Sequence, residues 1–190
     1  MDIILIRHGE TEANIKKVFS TLDVKLSDRG KEQILKSKEY IQSLNFDKVY
    51  VSPLDRAVET MKLLDLNGQI EDSIKEISFG ILEGKSYVEV NGEYPEETKK
   101  WAEDPVYYAV PEGETIIDAY KRVEKFLDEL IKKDEVVILI CHEGIIKIVL
   151  SFVFDNPEYF FRFKAENVSI SSITIEEGHK YISKMNHILY

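Results

Sequence analysis

The sequence predicts an α/β fold, a three-layer sandwich in which a mainly parallel central sheet is flanked by helices. Three observations carry that expectation. Short, branched, almost uniformly apolar runs at residues 3–6, 49–51 and 136–141 have the composition of strands buried on both faces. Longer stretches between them repeat their apolar residues at the helical period. Strand and helix patterns alternate along the chain, which is how neighbouring parallel strands are joined.

The elements follow in order. Ile3 to Ile6 precedes a glycine-containing turn and reads as a buried strand. Ser27-Asp28 opens a helical pattern through Ile34, Leu35, Tyr40, Ile41 and Leu44. Val49-Tyr50-Val51 reads as a second strand. It ends at Ser52-Pro53, an N-cap residue with proline at the first helical position, and the helix it opens carries Leu54, Ala57, Val58, Met61 and Leu64 on one face. Residues 114–133 give the longest helical pattern and run into the apolar strand 136–141. Gly144 leads into a helix with Ile145, Ile148, Val149 and Phe152. Val168 to Ile175, the turn Glu176-Glu177-Gly178, and Tyr181-Ile182 read as an edge strand, a turn and a last strand.

Residues 86–113 break this rhythm. They hold five of the 20 aromatic residues (Tyr87, Tyr94, Trp101, Tyr107, Tyr108) and three of the five prolines. Such a segment is expected to be a lid or specificity insertion over a pocket, or an irregular helical excursion packed with rings. No repeat, low-complexity tract or Gly/Ser linker interrupts the chain, so residues 1–190 are expected to form one domain.

Composition excludes several classes of function. With 25 basic and 35 acidic side chains the formal charge is -10, the wrong sign for a general nucleic-acid binder. A single cysteine rules out an internal disulfide framework and a cysteine-rich zinc site. The opening Met1-Asp2-Ile3-Ile4-Leu5-Ile6-Arg7 carries a carboxylate and too short an apolar run for a secretory signal, and no stretch is long enough to span a bilayer. The expectation is a cytoplasmic protein without membrane or nucleic-acid partners. No pattern specifies an oligomeric state. On composition alone, an anionic substrate is also disfavoured.

Local chemistry points the other way. His8 and His142 each sit where a buried strand ends and a glycine-containing turn begins, the place where open α/β sheets gather ligands. Only five basic residues are arginine, and Arg7 and Arg56 both fall just past strand ends. A planar fork of donors suits phosphate oxygens. Two arginines beside two histidines make an anion site, while the acidic surplus lies elsewhere.

These residues belong to four motifs. Arg7-His8-Gly9-Glu10-Thr11 with Asn14, Ser52-Pro53-Leu54-Asp55-Arg56-Ala57 with Thr60, Glu76-Ile77-Ser78-Phe79-Gly80-Ile81-Leu82-Glu83-Gly84, and Cys141-His142-Glu143-Gly144 resemble, in order, the signature of the histidine phosphatase superfamily with its phosphoglycerate-mutase-like fold. The resemblance implies a metal-independent phosphomonoester hydrolase acting on a small phosphorylated metabolite, with no cofactor. It makes His8 the nucleophile, forming a phosphohistidine. Arg7, Arg56 and His142, with Asn14, hold the phosphoryl oxygens, and Glu143 and Gly144 fall among the phosphate-contacting positions. Glu76 is the proton donor, with Glu83 as runner-up.

Two positions depart from the pattern. Glu143 stands where relatives often carry glycine or glutamine, and a carboxylate there is expected either to raise the pKa of His142 or to repel highly anionic substrates. Lys147 stands where relatives often carry arginine. Within the superfamily, the tail from Phe161-Arg162-Phe163 to Ser171-Ser172-Ile173 resembles alpha-ribazole phosphatases, and the short length also suits a fructose-2,6-bisphosphatase-like enzyme. A cofactor-dependent phosphoglycerate mutase and a catalytically silent phosphate-binding protein remain as alternatives.

Other signals are weaker. Gly80 to Ser86 spaces its glycines one residue too closely for a P-loop. His8, Glu10, His142 and Glu143 have the composition of a metal site, but the adjacent arginines compete with a cation. Cys141 closes an apolar run and reads as an inert core thiol. Asn167-Val168-Ser169 matches a glycosylation sequon, and His179 and His187 read as structural.

Overall fold

The computed structural model describes residues 1–190. Six strands form one sheet: β1 (Asp2–Arg7), β2 (Lys48–Val51), β3 (Gln69–Ile70), β4 (Val137–Cys141), β5 (Ile170–Glu176) and β6 (His179–His187), in the order β3-β2-β4-β1-β5-β6. The first four are mutually parallel; β5 and β6 run antiparallel on one side. Seven α-helices complete the fold: α1 (Glu12–Lys16), α2 (Asp28–Gln42), α3 (Asp55–Leu63), α4 (Tyr87–Glu93), α5 (Pro95–Glu103), α6 (Ile116–Ile131) and α7 (Glu143–Phe152).

Strand periodicity produces the three layers. Successive side chains point to opposite faces. Ile3, Leu5, Tyr50, Val137, Leu139 and Cys141 therefore join one apolar cluster, which includes Val123 and Leu127 of α6 and Ile145 and Val149 of α7. Ile4, Ile6, Val49, Val51, Ile138 and Ile140 join a second, with Ile34 and Ile41 of α2 and Ala57 of α3. Both faces of β1 and β4 are covered, which explains why their sequences are apolar without alternation. Each fully buried branched side chain here contributes about 1.5–3 kcal/mol.

Three local expectations are corrected. The helix after β2 begins at Asp55 with Leu54 as its N-cap residue and no side-chain cap; the Ser52 hydroxyl is instead committed to His142 at 2.7 Å. The strand at residues 170–176 lies inside the sheet, between β1 and β6, so β6 is the edge. Residues 86–113 are more regular than expected. Ser86 and Glu89 form a capping box that starts α4, and Pro95 occupies the first turn of α5. The rings of Tyr94, Trp101 and Tyr108 pack with Phe19 and Phe79 around buried Leu82, Val90 and Val110. No helix is long and apolar enough to cross a membrane.

The topology places the motifs. In the parallel β1–β4 pair, Arg7 lies opposite Cys141, and the His8 amide donates to the Cys141 carbonyl at 3.0 Å. In the β2–β4 pair, Val51 lies opposite Ile140. His8, His142 and Ser52 therefore emerge side by side beyond the carboxyl ends of three adjacent strands.

Candidate active site

The turn after β1 presents His8. Gly9 permits it, because a Cβ there would sit 2.7 Å from Ile34 Cδ1 and 2.9 Å from the Gly30 carbonyl of α2. The Gly9 amide donates to Thr60 Oγ1 at 3.2 Å. His8 Nδ1 lies 2.7 Å from the Gly9 carbonyl. A carbonyl only accepts, so Nδ1 carries the proton and Nε2 holds the free lone pair. His8 is 3% exposed, and burial, with Arg56 and Arg7 close by, pushes its pKa well below the ordinary imidazole value. The ring is neutral and nucleophilic at physiological pH.

His142 packs against it, ring centroids 5.1 Å apart. Ser52 Oγ accepts from the Leu54 amide at 3.4 Å and holds His142 Nε2 at 2.7 Å. The other ring nitrogen, Nδ1, is fully buried with no partner. Burial, then Arg56 and His8, hold the His142 pKa well below its usual value.

The arginines complete a donor set. One terminal nitrogen of Arg7 donates to the Ala165 carbonyl at 2.6 Å and lies 3.1 Å from Glu143. Arg56, in the first turn of α3 and 1% exposed, donates to the Thr21 carbonyl at 3.0 Å. The Nε atoms of both arginines are buried without a partner. Buried polar atoms without a partner are costly, and these two arginine nitrogens, with His142 Nδ1, mark a site suited to an anion.

Glu76 lines the same cavity. Burial raises its pKa, against the lowering effect of the Ile77 amide, of Arg56 and of the Gly144 amide. Its two oxygens accept from the Ile77 amide at 3.0 Å and the Gly144 amide at 3.3 Å. Glu83 is excluded from the cavity: it accepts from Ser78 Oγ and the Phe79 amide and so fixes the turn that follows Glu76.

The remaining expected residues divide. Asn14 lines the cavity and accepts from Thr11 and from Asn167 Nδ2 at 3.1 Å. The Gly144 amide serves Glu76, so in this structure it supports the acid. The expectation that Glu143 raises the His142 pKa is overturned: its carboxylate turns to Arg7 and, at 2.6 Å, to Lys147, and His142 is shifted down. Cys141 is fully buried, with its thiol pKa pushed up by burial, as befits a core residue.

Sequence reasoning missed the clamp at residues 165–168. The Asn167 amide group donates to the His8 carbonyl at 3.2 Å, and the Val168 amide reaches the carbonyls of Arg7 and His8. Val168 holds a φ of 54° to do so, a conformation that a β-branched residue adopts only under constraint. The sequon pattern carried no hint of this. Arg122 was also missed. From α6 it bonds the carbonyls of Ser73 and Lys75, just before Glu76, and both carboxylate oxygens of Glu114.

A sandwich with paired histidines and arginines at parallel strand ends defines a phosphoryl-binding α/β protein. The comparisons fix the family. The histidine phosphatase superfamily (branch 1) matches residues 3–188, and the chain belongs to it. It is 32% identical to phosphoserine phosphatase 1 of Hydrogenobacter thermophilus, over 97% of this chain and 91% of that one. It is 33% identical to the 6-phosphofructo-2-kinase/fructose-2,6-bisphosphatase of Gallus gallus over 81% of this chain, but spans only 33% of that longer protein. Among solved structures it superposes on the alpha-ribazole phosphatase from Shigella flexneri with a TM-score of 0.90, 26% identity and coverage of 98% and 96%. The Entamoeba histolytica phosphoserine phosphatase in complex with 3-phosphoglyceric acid gives 0.84 and 30% identity, covering 97% and 96%.

Proposed function

We propose that the protein is a metal-independent phosphomonoester hydrolase that works through a phosphohistidine on His8 and acts on a small phosphorylated metabolite in the cytoplasm. One observation carries this reading: the free Nε2 lone pair of a neutral, buried His8 lies beside two buried arginines and His142, whose Nε and Nδ1 atoms have no partner.

In the first step His8 Nε2 attacks phosphorus and the ester P–O bond breaks. Glu76 gives its proton to the departing oxygen, which leaves as an alcohol. Arg7, Arg56 and His142, with Asn14 fixing the floor of the turn, bind the three phosphoryl oxygens and stabilise the transition-state charge. In the second step Glu76, now a carboxylate, takes a proton from water as that oxygen attacks phosphorus. The P–N bond breaks, and inorganic phosphate leaves a neutral His8.

Phosphatase-named relatives that cover almost the whole chain favour hydrolysis over a mutase. Residues 86–113 supply part of the wall that the leaving group meets, so their role is to select substrate.

The test is phosphate release from a panel of alkyl phosphates with and without chelator. The reading predicts turnover that chelator does not change and that His8→Ala abolishes. Turnover that survives in His8→Ala, or that chelator removes, contradicts it.

A further inference from the structure

Asn14 ends in a carbonyl oxygen and an amino group, and only the amino group can donate to a phosphoryl oxygen. Which of the two is free for the cavity decides whether the residue attracts or repels an anion. Its neighbours make that choice. The Thr11 amide lies 3.0 Å from Asn14 Oδ1, and a backbone N–H only donates, so that end of the side chain is the oxygen. The Thr11 hydroxyl is a second donor to it at 3.0 Å, and Asn167 Nδ2 a third at 3.1 Å. With three donors on Oδ1, the group left for the cavity that Asn14 lines with Arg7 and His8 is Nδ2.

Asn167 is oriented in turn by the nucleophile's own main chain. Its Nδ2 donates to the His8 carbonyl at 3.2 Å, and a carbonyl only accepts. Reversing the Asn167 amide would set its oxygen against both the His8 and the Asn14 oxygens, so one orientation holds. The chain around Asn167 is tied from three directions. The Val168 amide reaches the carbonyls of Arg7 and His8 at 3.1 and 3.3 Å. The Tyr190 hydroxyl donates to the Asn167 carbonyl at 2.8 Å. The Glu166 amide donates to Asn186 Oδ1 at 2.7 Å. Asn186 has a φ of 51° and lies where the register of β5 with β6 slips, so a bulge in the edge strand aims its side chain at this segment. Support of this kind fixes the direction of a polar group before any ligand arrives.

We propose that Asn167 is a positioning residue for phosphoryl transfer: it holds the Asn14 amide so that Nδ2 donates to a phosphoryl oxygen. Asn167 acts through Asn14 and touches neither the substrate nor the reacting atoms. The proposal rests on the hydrolase reading of the same site.

The test is a double-mutant cycle read as the Kd of vanadate, with thermal unfolding and phosphate release from ethyl phosphate followed for every variant. Asn167→Ala should weaken vanadate binding by about tenfold, the size expected for a disturbed hydrogen bond to an anion. In an Asn14→Ala background the same substitution should cost no more than about threefold, because the group it orients is gone and the His8 carbonyl keeps the Val168 amide. Asn167→Asp keeps the volume but replaces the donor with an oxygen, so it should weaken binding at least as much as alanine does. A residue that only filled space would tolerate aspartate. The aspartate variant also carries the test if truncation to alanine lowers the folded fraction. Equal losses from Asn167→Ala in both backgrounds, or an aspartate variant within about threefold of wild type, overturn the proposal and leave the hydrolase reading standing. Absence of phosphate release from the wild type removes the hydrolase reading, and the proposal with it, whatever the cycle gives.

Discussion

Replacing Glu76 by glutamine separates proton donation from shape. The amide keeps the side-chain volume but carries no transferable proton. General acid catalysis contributes roughly a hundred- to ten-thousandfold, which is about 2.7–5.5 kcal/mol of barrier. For an alkyl phosphate, kcat should fall by that factor. In kcat/KM, which reads only the first step, a 4-nitrophenyl ester, whose leaving oxygen needs little protonation, should lose no more than about tenfold, whereas its kcat should fall with the loss of the base in the second step. The pH profile supplies a second reading. The raised pKa of Glu76 keeps the acid protonated above the normal carboxylate range, and activity falls as pH rises through it; the lowered pKa of His8 moves the acid limb below the ordinary imidazole range. The glutamine variant should lose the alkaline limb. In the folded wild type the buried carboxylate is disfavoured, so the stability linked to Glu76 is present at low pH and lost as pH rises through its folded pKa; the variant loses this dependence too. Its own cost is one acceptor, for the Ile77 or the Gly144 amide, worth about 1–3 kcal/mol. Steady-state kinetics with both esters, alongside thermal unfolding, decides the matter. A variant within about threefold of wild type on the alkyl ester refutes the assignment.

Three further outcomes follow from the same geometry. Ser52→Ala removes the hydroxyl that holds the His142 ring, so phosphate affinity should weaken by about tenfold, read as the Kd of vanadate, and the unfolding midpoint should drop. Gly144→Ala puts a Cβ into collision with Glu76 Oε1, the movable end of a side chain. Folding should survive while kcat falls by about tenfold or more, since small misplacements of a reacting group are expensive; an unchanged kcat contradicts the placement of Glu76. Arg122→Lys loses the forked contact to Glu114 and the two carbonyls before Glu76. Its kcat/KM, which reads only the first step, should fall more on alkyl than on 4-nitrophenyl phosphate, because the residue positions the acid and not the nucleophile.

The sheet was legible because its physics is local. Residues 3–6 and 136–141 are apolar without alternation, which only strands covered on both faces require, and they became β1 and β4 with helices on either side. Once those strands were neighbours, His8 and His142 had to open into one crevice. Ser52 was misread because Ser-Pro is a good cap by local rules, and the competing partner, His142, lies 90 residues away. A still longer separation hid the clamp by Asn167 and Val168, 159 residues or more from the turn they hold. The edge strand was misplaced because which strand pairs with β1 is a tertiary choice. Net charge misled in its turn: the -10 describes the surface, while the cavity concentrates Arg7 and Arg56 beside two neutral imidazoles.

The central claim is that His8 becomes phosphorylated, and the direct measurement is rapid acid-free quenching with a radiolabelled phosphomonoester, followed by denaturation and peptide mapping. The account predicts a transient label, labile to acid and stable to base, on the peptide containing His8 and absent from His8→Ala. A label on another residue, or turnover without any such label at saturating substrate on the millisecond scale, contradicts it.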